Sequence, residues 1–459
     1  MNCLVEITDN GRQQAALFGM PGLRQFIDTG SLPIRGIVPK DGTLTFYLAV
    51  GNRVIVSEAN QPLRTVATLD THIGPVWMDD NGVQLFINDG SSPFIYTYQT
   101  GVATPITDPD YPRGARGAVF LAGRFWVFVP AINSGKDGRC YSSDQQNGLA
   151  WDGLNFFTPA ARPDGILAIE RRGDDLAVIG QKTIEWWSQG PVTLQGALGF
   201  IPSSSANSDV GGIAERGAAI VDQRFLFLGK EKSTARIYEA NGYQVTAIST
   251  PAVEDSLSKV SGLTSAVCCS YTVSGHPLFQ ITVPGGTKQT AVTWVYDLST
   301  KLWSKRGSVN KPYYRGLLTA ATLNNVYMTD AFNGKLYVID PETNSDDGEP
   351  SEFEVTSTYL MKDGDSLILH AVWVDCETGI GNAVPPGDDP QAIMQISKDG
   401  GRTWGQEHFI PLGKIGDYTR QAKLRRLGSA KKFALKFRIL EPVPRRVVGA
   451  YLLMEPGNA

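Results

Sequence analysis

The side chains that most often carry proton transfer are, in this chain, four histidines, His72, His276, His370 and His408, and 46 carboxylates. His276 has the most pointed setting, in SGHPLFQITVP at 274–284 just after a turn glycine, where capping the turn is a simpler use for it than moving protons. The other sharp constellation is SKDGGRTW at 397–404. Its pattern, S-x-D-x-G-x-T-W, is the Asp-box that recurs in sialidases. Ser397, Asp399, Gly401, Thr403 and Trp404 then form a hairpin turn. Asp399 accepts backbone N–H bonds, the glycines permit φ > 0, and Trp404 packs under the loop as core. One copy implies a β-hairpin and no particular reaction.

Sugar cleavage asks for more than a turn. A glycosidase sets two carboxylates across a cleft, and a sialidase adds arginines for its substrate's carboxylate. Sialidases carry several Asp-boxes and an early R-I-P segment. This chain has one box, and its nearest echo of the segment is FRIL at 437–440, at the wrong end. G-x-S-x-G, H-E-x-x-H, a P-loop and a G-x-G-x-x-G between strand and helix are all missing from the sequence. Cys3, Cys140, Cys268, Cys269 and Cys376 are odd in number and scattered, without a C-x-x-C pair. That spacing suits neither a disulfide framework nor a zinc site, and points to reduced thiols and intracellular assembly. The expectation is a non-enzyme with no catalytic residue, cofactor or metal.

The elements that would position these residues are strands. Among 459 residues, 49 Gly and 27 Pro imply many turns and few long helices, while 42% hydrophobic and 19% charged residues are ordinary for a soluble protein. Neither a signal-peptide h-region nor an apolar run of 18 residues is found, so secretion and membrane insertion are not expected. Stretches such as TLTFYLAVGNRVIVSE (43–58), VQLFINDGSSPFIYTY (83–98), DDLAVIGQKTIEWWS (174–188) and NNVYMTDAFNGKLYVIDPETN (324–344) each read as two strands about a tight turn. Their spacing is roughly 40–50 residues, the span of one four-stranded propeller blade. WVYDLSTKLW at 294–303 has the form of a blade's outer hairpin, with an Asp-led turn and a buried Trp. The aromatics are expected to pack blade against blade. The fold class expected is all-β: a propeller of six or seven blades over 1–345, then a smaller β-sandwich-like domain over 346–459 holding the Asp-box hairpin.

Net charge is only −4, which argues against coating nucleic acid by bulk charge. The C-terminal quarter is nonetheless polarised. Residues 340–389 hold thirteen acidic residues against Lys362, a net of −12, and 398–446 hold thirteen basic against four acidic, a net of +9. Within the basic stretch Arg420, Lys423, Arg425, Arg426, Lys431 and Lys432 are candidates for an interface with a neighbouring subunit or with DNA. KKFALKFRIL at 431–440 alternates charged with apolar residues, as a half-buried sheet with a solvated basic face would.

The order of several phrases resembles the packaged-DNA stabilisation proteins of short-tailed phages, also called tail accessory factors or head-to-tail hubs. The phrases are GMPGLRQF (19–26) with PIRGI (33–37), RPDGILAIERRGDDLAVIGQKTIEWW (162–187), STPAVEDSL (249–257), SGHPLFQITVP (274–284), TWVYDLSTKLWSKR (293–306), SKDGGRTWG (397–405) and LGKIGDYTRQAKLRRLGSAKKFALKFRI (412–439). They span nearly the whole chain in family order. Two departures stand out: QAKL at 421–424, where an Arg and an aromatic are expected before RRLG, and the few residues that precede the PGL turn.

The resemblance implies a virion protein of the tail and neck, assembled in the host cytoplasm as a homo-oligomer, a hexamer in the family's image. It would sit beneath the portal and its adaptor protein, retain packaged DNA with transient contact in the channel, and offer a docking surface to needle, tailspike or fibre proteins. Two readings of other classes stay open on residues alone. One is a glycan-binding or glycan-cleaving propeller, such as a tail depolymerase or receptor-binding protein. The other is a nucleic-acid-binding module.

Overall fold

The computed structural model describes residues 1–7, 15–130, 138–159, 164–192, 198–203, 208–231, 234–362 and 365–457. Arg162, which opens one of the phrases above, and Asp363 of the acidic stretch lie outside the described residues. The chain divides into two compact units. One is Gln25–Thr293 with Pro312–Val338, and the other is Met1–Arg24 with Trp294–Lys311 and Ile339–Ala459.

In the first unit, antiparallel sheets follow one another along the chain. The first sheet runs Ile34–Lys40, Thr45–Val50, Arg53–Ser57 and Arg64–Thr68, and the second Trp77–Asp80, Gln84–Asn88, Phe94–Thr97 and Val102–Pro105. The leading strands of the next five are Arg116–Leu121, Ile166–Arg172, Ala218–Val221, Val267–Val273 and Gly316–Thr322. Each leading strand packs against the leading strand of the following sheet, and Gly316–Thr322 packs against Ile34–Lys40. The seven sheets among the described residues therefore close into a ring, a seven-bladed β-propeller.

Burial explains the sequence pattern. The second strand of each sheet lies between two neighbouring blades, so both its faces are covered, and in the first and third blades it reads as a nearly unbroken apolar run. Thr45–Val50 and Arg124–Val129 are buried almost throughout, whereas the fourth strands Arg64–Thr68 and Val102–Pro105 are largely exposed. Phe46, Phe86, Phe125, Phe225 and Phe279 occupy these second strands and are fully buried. Phe86 meets Phe125 of the next blade at 5.5 Å, and Phe225 meets Trp186 of the preceding blade at 5.3 Å. The helix Pro251–Lys259 starts at a proline, whose fixed φ suits the first turn, and buries Val253 and Leu257, one turn apart, on the blade strand Thr234–Asn241.

The ring closes through residues far apart in sequence. Gly22–Asp28 continues the sheet of Gly316–Thr322, Asn325–Asp330 and Lys335–Asp340. Thr29 N donates to Gly334 O at 2.9 Å and Gly334 N to Gly30 O at 2.8 Å. A Cβ on Gly334 would stand 2.3 Å from Thr29 Oγ1, so this approach demands glycine. Ile27 joins Leu336 and Val338 in one cluster, and the Phe26 ring lies 4.9 Å from Tyr327. The closing strand thus begins within the PGL turn and follows it, while the described residues before the turn supply Cys3–Ile7 and Ala15–Gly19 to another sheet.

The second unit contains two packed sheets. One has the strand order Cys3–Ile7, Ala15–Gly19, Arg446–Pro456, Leu367–Cys376, Ala422–Ala430, and the other Phe353–Thr356, Ala434–Ile439, Gln391–Ser397, His408–Pro411. Between them lie Phe353, Val372, Met394, Leu412, Phe437 and Val443, each at most 2% exposed. In Ala434–Ile439 the expected alternation is realised: Leu435, Phe437 and Ile439 point into this core, and Lys436 and Arg438 out of it. The turn at 297–301 is led by Asp297, whose Oδ1 accepts from Ser299 N at 2.9 Å, with Lys301 at φ +59°. Trp303 beyond it is half-buried, 4.8 Å from the Tyr296 ring.

Candidate functional site

The Asp-box turn links Gln391–Ser397 to the loop before His408–Pro411. Ser397 is fully buried; its hydroxyl donates to Asp399 Oδ1 at 2.7 Å and accepts from Gly401 N at 2.8 Å. Asp399 accepts from Arg402 N and Thr403 N, both at 2.9 Å, and from Thr403 Oγ1 at 2.5 Å. Gly400 and Gly401 supply φ values of +76° and +95°. The Thr403 hydroxyl, with help from Thr403 N–H and the Ser397 hydroxyl, holds the Asp399 carboxyl well below the usual carboxylate range. An acid so firmly ionised, with both oxygens occupied inside its own turn, is a poor proton shuttle. Trp404 is half-buried rather than enclosed in the core, because it lies on the outward face of the sheet, where Lys436 Nζ covers its ring at 4.4 Å.

The six basic candidates separate by environment. Arg420 Nε donates to Asp417 Oδ2 at 2.6 Å, which occupies its charge locally. Lys423 Nζ lies 5.0 Å over Trp373, itself stacked on Tyr451, and Lys432 Nζ lies 5.2 Å over Tyr359. Arg425, Arg426 and Lys431 are exposed and make no ion pair among the described residues. Arg425 and Arg426 sit on the outermost strand of the five-stranded sheet, beside a bulge where Arg426 takes φ +62°. On the same sheet Tyr451, Leu453 and Met454 of Arg446–Pro456 are 44%, 57% and 46% exposed.

The histidines are dispersed: His72 between two blades, His276 buried at the start of a blade strand, His370 and His408 on different sheets of the second unit. Among the described residues no three His, Cys, Asp or Glu are grouped as metal ligands.

Sequence reasoning missed a cluster of charges where the leading strands of the blades meet. Arg216, just before the leading strand of the fifth blade, sends Nη2 to Val76 O at 2.7 Å, at the entry to the second blade. With Glu215 it lines two cavities: one of about 430 Å³ bounded by Val76, Met78, Glu170, Cys268 and Thr319, the other of about 540 Å³ bounded by Leu32, Arg35, Ile73, Pro75 and Leu317. Burial pushes the Glu170 carboxyl up to about 7, with Asp79 adding to the shift and Arg216 opposing it. Asp79 is pushed up to about 6 by burial, although it accepts from Phe120 N at 2.6 Å. Burial lowers Arg216 to about 10, Glu170 opposes the shift, and the like charge of Arg35 adds to it. The sequence signal was a Glu-Arg pair inside the small-residue run GGIAERGAAIV at 211–221.

Two family models match the sequence, one described as bacteriophage P22 Gp10, beta-propeller, over residues 1–344, the other as bacteriophage P22 Gp10, beta-sandwich, over residues 352–455. A search of curated proteins finds no match. Among solved structures, PorZ, a surface component of the type-IX secretion system of Porphyromonas gingivalis, is 10% identical with a TM-score of 0.40. The match covers 71% of this chain and 38% of that one. The computationally designed Ika8 protein is 11% identical with a TM-score of 0.38, over 74% of this chain and 97% of its own. With both P22 Gp10 models matched in order, and a propeller followed by a sandwich in the structure, the chain belongs to the bacteriophage P22 Gp10 family of structural tail and neck proteins.

Proposed function

We propose that copies of this chain assemble as a hexameric ring beneath the portal and its adaptor, retain the packaged DNA, and present a docking surface to needle, spike or fibre proteins. The observation that carries this reading is the obstructed propeller axis. Arg216 reaches across to Val76 O between two cavities of a few hundred Å³, whereas B-DNA has a major groove alone of about 12 Å. A duplex leaving the capsid therefore runs outside any one propeller, along a channel walled by several copies. A closed propeller has no free inner sheet edge and stays rigid while its flanks meet neighbours. Exposed Tyr451, Leu453 and Met454 are apolar surface of the kind a neighbouring copy or partner covers. Arg425, Arg426 and Lys431 would meet DNA or an acidic neighbour.

Light scattering on the purified chain, alone and with the adaptor protein, tests the reading. Assembly should give a mass near six times 49.8 kDa plus the adaptor's contribution. A chain that stays monomeric with saturating adaptor refutes it.

A further inference from the structure

The axial mouth on the Arg216 side combines features that call for an anion on an apolar chain. Its cavity of about 540 Å³ falls in the size range of ligand pockets. The walls are Leu32, Ile34, Ile73, Pro75, Val267 and Leu317, and at the rim Leu32 is 53% and Ile73 85% exposed. Of the charged groups that line it, Arg35 and Arg216 stand against the single carboxylate of Glu215, whose Oε1 is already taken by Arg116 Nη1, while Asp89 and Glu170 act on the two arginines from outside the cavity.

The two guanidinium groups differ in what they have left to give. Arg35 is spent on the fold: it donates to Gly74 O at 2.7 Å and to Thr71 O at 2.8 Å, and also to Gly51 O, Ile73 O and Thr71 Oγ1. By using those carbonyls it removes the acceptors that would repel an anion at the mouth. Among the described residues Arg216 gives one side-chain hydrogen bond, to Val76 O, out of five guanidinium N–H donors. Burial, and after it the Arg35 charge, lowers the affinity of Arg216 for its proton while Glu170 opposes the shift; an anion at the mouth would add to that opposing charge.

We propose that this mouth binds the free carboxylate at the end of an apolar polypeptide chain, the C-terminal residues of a partner. Apolar side chains lie on Leu32, Ile73 and Leu317, and the carboxylate meets Arg216. The assignment to a virion partner rests on the docking role proposed above. The binding itself does not, since it belongs to the isolated chain.

The test titrates the full chain with the tetrapeptide acetyl-Ala-Ile-Val-Leu as free acid, with the same peptide as C-terminal amide, and with octanoate, read by calorimetry. The acid binds at least tenfold tighter than the amide and tighter than octanoate, and Arg216→Met erases the acid–amide difference. Because Arg216 is interior, Ile73→Asp at the exposed rim provides a variant that leaves the core intact; it weakens the acid at least fivefold and the amide little. Equal binding of acid and amide, no binding of the acid, octanoate binding as tightly as the peptide, or an unchanged acid affinity in Ile73→Asp each overturns the proposal.

Discussion

Phe46→Ala attacks the seam where the propeller closes. The ring is fully buried and stands 5.7 Å from Phe26 and 4.7 Å from Tyr327, edge to face in both pairs. Phe26 comes from the closing strand, Tyr327 from the seventh blade and Phe46 from the first, so one side chain ties three segments together. Truncation removes the buried ring and leaves a cavity, a loss of about 3–5 kcal/mol. Each aromatic pair accounts for about 0.5–1.5 kcal/mol of the packing. The assay is guanidinium unfolding followed by the fluorescence of Trp77, Trp126, Trp151, Trp186 and Trp187, all of which belong to the propeller unit. Val83→Ala, at a site 58% exposed, is the control and shifts stability by no more than about 0.5 kcal/mol. If Phe46→Ala cost less than about 1 kcal/mol, a value ordinary for any substitution, the seam would not be packed and closure would not run through it.

Three further outcomes are expected. Glu170→Gln becomes more stable than wild type as pH rises. Folding raises this carboxyl from 4.5 to about 7, so the folded state binds the extra proton and wild-type stability falls across that window, then levels; urea midpoints at pH 5 and 8 read the change. Asp399→Ala opens the 397–404 turn to proteolysis, and a reducing-sugar assay finds no turnover to lose. Because folding depresses the Asp399 pKa, its contribution is present above the unfolded value of 3.8 and fades as pH falls through the lower folded one. Arg425→Ala with Arg426→Ala leaves thermal stability within about 0.5 kcal/mol but flattens the dependence of DNA binding or assembly on log[salt], by about one unit for each phosphate contact removed; an unchanged slope in both measurements clears these residues of either role.

What could be read from the sequence follows the range of the interactions involved. TFYLAV at 45–50 and RFWVFV at 124–129 announce doubly covered strands by composition alone, and the Asp-box turn is spelled out by five residues within eight positions. Pairing across the chain leaves no such mark. Ala15–Gly19 meets Arg446–Pro456 only through Leu17 with Val447 and Phe18 with Arg446, and nothing in AALFG names that partner, because register is decided by the sheet it joins. Arg216 gave only a faint signal for a related reason. Its role depends on Val76, 140 positions away, and a Glu-Arg pair before an apolar strand looks like any solvated charge. Trp404 was misjudged because the motif specifies the turn and not which face of the sheet the ring covers.

The bond between Thr29 and Gly334 spans 305 positions, which sets a timetable for biosynthesis. At about 5–20 residues per second a ribosome needs roughly 15–60 s to travel that distance. Until then the first blade waits with one flank bare, and the nascent chain is an open arc that another nascent arc on the same message could complete in its place.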